Sequence, residues 1–269
     1  MLTTARARRR KRDDRLGLLI LLASAGLAAL VGGTYVLLSR RQPQLNPTTL
    51  CPVTGPHGLT VLLVDRTQPL SPIQQAALRQ EFGRIKDGIA AETALEIYSI
   101  GPVAADVIRP DLPLLCSPRK GASVSEWTGN PRMAERQWHE RFERPVAKLL
   151  RELAMSGSLE ASPILESLQS VAVTALSSPP STSDRRLIVA SDMLQNTAEF
   201  SQYRQAVSFS DLRTTQYYKR VRADLRGVDV EIIYIRRDGS FQDSDHIRFW
   251  QDYFADVGAR LIHVKALSG

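Results

Sequence analysis

The sequence predicts an α/β domain, a mostly parallel central sheet flanked by helices, preceded by one transmembrane helix. Three observations point there. No charged residue lies between Leu16 and Leu38. Beyond residue 58, short β-branched apolar runs alternate with amphipathic stretches of helical period, the order that builds parallel sheets with crossover helices. Two of those runs end directly in an aspartate.

The first segment is long enough to span a bilayer. A helix rises ~1.5 Å per residue, so residues 16–38 reach about 34 Å, against a hydrocarbon core of about 30 Å. Residues 1–15 are basic, and residues 1–41 carry nine Lys/Arg against two Asp/Glu, a net +7. The heavier basic load precedes the helix, which predicts a cytoplasmic N-terminus. The expected location is single-pass in the inner or plasma membrane of a bacterial envelope, with the domain periplasmic or extracellular. A cleaved signal peptide is the competing reading; it needs a shorter apolar core and a small-x-small site, where this chain has Leu37-Leu38-Ser39-Arg40-Arg41. Residues 42–269 hold 26 charges of each sign, so the whole excess of +7 sits at the anchor. The basic character is a topology signal and gives no ground for a nucleic-acid partner.

Residues 39–57, rich in proline, read as a linker, and residues 58–269 as one domain. Leu59–Val64 reads as a buried strand. Ser71, Pro72 and Gln74 have the pattern of an N-cap, N1 and N3, opening a helix to about Ile89 with Ile73, Ala77, Leu78, Phe82, Ile85 and Ile89 on one face. Ala94–Ile100 and Leu112–Cys116 follow as strands. Residues 132–155 read as helix, with Pro145 as a kink or break. Ser162 and Pro163 resemble another N-cap and N1, opening a helix to Ala175. Residues 177–184 form a polar loop. Strands are expected at 186–190, 228–235 and 260–264, and helices at 210–226 and 244–257. Asp238-Gly239 reads as a turn. Tyr217, Tyr218, Phe249, Trp250, Tyr253 and Phe254 recur at helical spacing and read as core or interface.

Open α/β sheets bind ligands beyond the carboxyl ends of their strands, where strand order reverses. The first strand runs into Asp65-Arg66-Thr67-Gln68-Pro69, and the fourth into Ser191-Asp192. Carboxylates and hydroxyls converging there would offer oxygen ligands to a hard cation such as Mg²⁺. The four histidines and two cysteines have no zinc-site spacing, and there is no glycine-rich phosphate loop or Ser-His-Asp elbow.

On these residues the chain resembles the von Willebrand factor type A family. That family's metal-ion-dependent adhesion site uses Asp-x-Ser-x-Ser after the first strand, a Thr opening a later helix, and an Asp after the fourth strand. Asp65 matches the first position, Thr67 replaces the first Ser, Ser162 matches the Thr and Asp192 the second Asp. Pro69 stands where the second Ser belongs, which makes the motif degenerate. The resemblance implies a three-layer, doubly wound, six-stranded sheet in the order 3-2-1-4-5-6, with one antiparallel edge strand. It implies a protein-interaction module whose partner docks at the Asp65–Asp192 edge, through Mg²⁺ held by Asp65, Thr67, Ser162 and Asp192, or with that metal site dead. Without a cation, one of the two carboxylates should have a raised pKa. If the third strand is antiparallel, Cys51 and Cys116 come to the same end of the sheet, and a disulfide between them is expected. The enzymatic alternative is a Mg²⁺-dependent phosphohydrolase, which would need a second Asp at position 67.

Overall fold

The computed structural model describes residues 3–40, 44–101, 107–127, 129–155, 157, 159, 161–177, 184–204, 208–237, 239 and 241–267, with the side chains of the first helix described for 17–37. Most of the expected loop at 177–184, and Asp238 of the expected turn, lie outside the described residues.

Helix α1 spans Thr3–Arg40. Within it Gly17–Leu37 is long and apolar enough to cross a membrane, and none of that stretch is covered by the rest of the chain.

The domain is a six-stranded sheet in the order β3-β2-β1-β4-β5-β6. Its strands are β1 (Leu59–Asp65), β2 (Ala94–Ile100), β3 (Pro110–Cys116), β4 (Arg185–Ser191), β5 (Val228–Ile235) and β6 (Arg260–Leu267). Only β3 runs antiparallel; the other neighbours pair in parallel. Because side chains alternate across a strand, β1 divides its residues between two cores. Leu62 and Val64 face α2 (Pro72–Gly88), α3 (Pro131–Trp138) and α4 (Arg144–Leu153), against Leu78, Phe82, Phe142 and Leu150. Leu59, Val61 and Leu63 face α5 (Ile164–Val171), α6 (Phe209–Arg213), α7 (Gln216–Val221) and α8 (Ser244–Asp256). The aromatic set of α7 and α8 packs in this second core, with Trp250, Tyr253 and Phe254 fully buried.

Local chemistry explains the helix ends. Ser71 caps α2: its Oγ accepts from Gln74 N at 3.1 Å, and Gln74 Oε1 accepts from Ser71 N at 3.1 Å. A Ser71→Ala protein is expected to lose about 1 kcal/mol in a denaturant titration, while Ser71→Asn stays within a few tenths. Ile73, expected on the buried face, is exposed instead. Pro145 does not break its helix. A single wider turn, His139–Glu143, precedes it, with Arg144 N bonding His139 O; the i→i−5 spacing makes room for a ring that lacks an N–H.

Two expected helices are corrected. The stretch 210–226 is split, because Thr215 caps α7 by accepting from Tyr218 N at 3.1 Å, and a hydroxyl that bonds nearby backbone competes with helix continuation. Residues 222–226 are not helical. Ser162 is not a helix cap. It pairs with Asn196 in an isolated bridge, and α5 begins at Ile164.

The segment expected to be a linker is packed from residue 44 onwards. Leu45 bridges Pro52, and Leu50, Cys51 and Pro52 are buried. The sulfurs of Cys51 and Cys116 are bonded. Cys116 lies beside Ala94 at the start of β2, and Ala94 beside Leu59 at the start of β1. The lead-in is therefore stapled to the amino end of the sheet.

A candidate carboxylate centre at the sheet edge

Strand order reverses between β1 and β4, and both end at the same edge: Val64 lies opposite Ala190, so Asp65 stands beside Ser191 and Asp192 follows one residue on. The four expected residues come together here to different degrees.

Asp65 is the hub. Its Oδ1 accepts from Thr67 N at 2.9 Å and Thr67 Oγ1 at 2.7 Å. Its Oδ2 accepts from Ser191 Oγ at 2.7 Å and Ser162 Oγ at 3.2 Å. Ser162 is free to do this because another side chain serves the start of α5: Gln195 Oε1, buried, accepts from Leu165 N at 2.9 Å. Ser71 does not join the cluster, since its hydroxyl is spent on Gln74 N. Pro69 contributes a backbone carbonyl only.

Asp192 is 2% exposed. Its Oδ1 accepts from Leu194 N at 2.9 Å, and its Oδ2 from Arg237 Nε at 2.9 Å. Arg237 leaves the end of β5, the strand beside β4, and its Nη1 donates to Pro69 O at 2.5 Å. One side chain organises both members of this ion pair. Gln242 accepts from Arg237 N through Oε1 at 2.6 Å, and its Nε2 donates to Asp192 O and Ile235 O, each at 2.9 Å. The next residue, Met193, holds a left-handed backbone with φ 60°. Three bonds over-determine it: its N donates to Ser191 Oγ, and its O accepts from Trp250 Nε1 and His246 Nε2. Non-glycine strain of this kind persists only where the surroundings enforce it.

Burial, then the charge of Asp65, push the Asp192 carboxyl up to about 6, against the lowering pull of Leu194 N and Arg237. Desolvation penalises the charged form more than one guanidinium offsets it. At the rim, Tyr203 accepts from Gln68 Nε2. Burial and the Asp192 carboxylate raise its hydroxyl above the ordinary range. Its ring lies 5.3 Å from that of Phe241, which is 46% exposed.

The donor set fits a divalent cation poorly. Mg²⁺ demands near-octahedral oxygen coordination. Here Asp192 Oδ2 is already paired with the Arg237 cation, and Pro69 brings no side-chain oxygen, so the set offers two carboxylates and two hydroxyls beside a resident guanidinium. Among the described residues no group of three or more Asp, Glu, His or Cys side chains gathers as a ligand set.

Arg237, Ser191 and Gln242 were not anticipated from sequence. For Arg237 the signal was present, because the rule that singled out Asp65 and Asp192 applies equally to the basic pair Arg236-Arg237 just past the fifth strand.

No family model matches the chain, and no curated protein does. Among solved structures, the chain is similar to the VWA domain of SpRpn10, with 12% identity over 78% of this chain and 88% of that one and a TM-score of 0.38. At that level the likeness says nothing of function. The fold assignment stands on the strand order, which is the order the sequence resemblance implied.

Proposed function

We propose that this protein is a membrane-anchored interaction module of the cell envelope, docking a partner protein at the carboxyl edge of its sheet. The observation that carries this reading is that the oxygens of both carboxylates are engaged by internal donors. Such an edge is held in shape, and its carboxylate of raised pKa, Asp192, is buried against Arg237 rather than open to a substrate. Beside it Phe241 and Tyr203 offer an aromatic anchor with a polar tip, the residue types that dominate binding energy at interfaces. The phosphohydrolase alternative needs an acid/base at position 67, and Thr67 commits its hydroxyl to Asp65.

The topology supports the same reading. The lead-in is tied to the amino end of the sheet, so a membrane helix before it leaves the opposite edge facing outwards. A basic N-terminus in the cytoplasm puts the domain outside. Alkaline phosphatase fused after Gly269 should be active, since it needs an oxidising compartment; activity only of a cytoplasmic reporter would reverse the orientation. For docking, a photo-crosslinking residue at position 241 in membranes should give a discrete adduct, whereas one at position 127, 90% exposed in the loop between β3 and α3, should not. Equal adducts at both positions, or one only at 127, would move the interface elsewhere.

A further inference from the structure

The carboxylate centre contains a cation of the protein's own. We infer that the Arg237 guanidinium stands in for a divalent metal at this sheet edge, so that the centre is assembled, and the edge is recognised, without metal.

Three features support this. The first is position. Arg237 reaches across the end of β4, with Nε on Asp192 Oδ2 at 2.9 Å and Nη1 on Pro69 O at 2.5 Å. A single side chain thus links the two loops that a bridging metal would link. The second is preorganisation. Gln242 holds the Arg237 backbone N–H and the Asp192 carbonyl together, so both ends of the pair are set before the charge arrives. The ion pair is shielded, with side-chain exposures of 18% and 2%. A planar guanidinium with directed donors suits this task better than the compact, strongly hydrated ammonium of lysine. The third is the sequence at position 69. A proline gives no side-chain oxygen for a metal, but its carbonyl still serves a guanidinium. At this one place a residue without a side-chain oxygen therefore stands opposite an arginine that uses its carbonyl. A metal entering here would have to displace a cation from a buried partner and meet it at close range.

The inference deepens the docking proposal and rests on it only for the consequence that partner binding is metal-independent. Thermal unfolding of the full-length protein in detergent micelles tests the cation itself. With EDTA, or with millimolar MgCl₂ or MnCl₂, the midpoint should agree within about 1 °C; a metal bound at a hundred times its dissociation constant would raise it by roughly 5–10 °C. A metal-dependent rise that Asp192→Ala abolishes overturns the inference. Arg237→Ala should lower the midpoint by roughly 5–15 °C, because it leaves a buried carboxylate unpaired. Adding Asp192→Asn should restore part of the loss by removing the stranded charge. An Arg237→Ala midpoint within a degree of wild type also overturns it. If Arg237→Ala does not fold, the metal titration of the wild type decides alone. The adduct at position 241 should be unchanged by chelator. Absence of any adduct there would count against docking and leave the cation assignment to the melting curves.

Discussion

A full-length protein carrying Cys51→Ser and Cys116→Ser is expected to unfold at a temperature roughly 8–16 °C below the oxidised wild type. The bond closes a sequence separation of 65 residues. Chain-entropy reasoning gives a loop of that length about 4 kcal/mol of stabilisation, by restricting the unfolded ensemble. The non-covalent ties of the lead-in remain in the variants: Thr49 O accepts from Cys116 N at 2.8 Å, Glu92 O from His57 N at 2.9 Å and Pro47 O from Arg141 Nη2. Loss of the bond should free this segment first, and limited proteolysis should cut the double variant between residues 44 and 58 before it cuts the sheet. Thiol titration of the unreduced wild type should find no free thiol, and two after reduction. Two thiols in the unreduced native protein would overturn the prediction, together with the oxidising location it assumes.

The second large effect is electrostatic. The folded-state pKa of Asp192, about 6, lies above its ordinary value of 3.8. Between those values the folded protein holds a proton that the unfolded chain has released, so stability falls as pH rises. The contribution is fully present below the lower value and lost as pH passes the upper one. A shift of this size corresponds to about 3 kcal/mol at most. Other groups act in the same window. Glu96, raised by burial, has the same sign. His246, lowered by burial, has the opposite sign and costs stability as pH falls through its ordinary range. The informative quantity is therefore the difference between wild type and Asp192→Asn. From about pH 5 to neutral, chemical denaturation should show the wild type losing about 1 kcal/mol relative to the variant, the part of the window that lies between pH 5 and the folded value. A difference that stays flat, or that grows in favour of the wild type as pH rises, would mean that Arg237 holds Asp192 ionised throughout.

Much of the fold was legible because its signals are local. The apolar run at 59–64 is a strand buried on both faces, and such strands read as near-continuous hydrophobic stretches; 94–100 and 228–235 interleave half-buried Glu96, Ser99, Asp229 and Glu231 with buried positions. Ser71-Pro72-x-Gln74 is a complete capping box, and its two hydrogen bonds require only neighbouring residues. The errors were local too, in that the same pattern carried a different meaning. Ser162-Pro163 has the sequence of a cap, yet the cap of α5 comes from Gln195, some thirty residues away in the chain. Pro145 has the sequence of a break, yet one widened turn absorbs it.

The site divides the same way. Strand ends mark where a ligand edge lies, so Asp65, Thr67 and Asp192 could be picked out individually. What each oxygen does there depends on which donor arrives from elsewhere. Asp65 draws on Ser162 and Ser191, 97 and 126 residues away in sequence, and Asp192 on Arg237, 45 residues away. A carboxylate attracts any suitably placed cation, and a motif read along the chain cannot distinguish a metal from a guanidinium that the adjacent strand delivers.

By itself, then, the sequence determined the long apolar helix with its heavier basic flank on the N-terminal side, the alternation of strands and helices, and the two aspartates at strand ends. These follow from hydropathy, period and capping, which act over a few residues. Only the tertiary structure decided that Ser162 serves Asp65 rather than a helix, and that the cation facing Asp192 is Arg237. Each of those depends on groups distant in sequence meeting at one sheet edge, where burial turns a single hydrogen-bond partner into the deciding term.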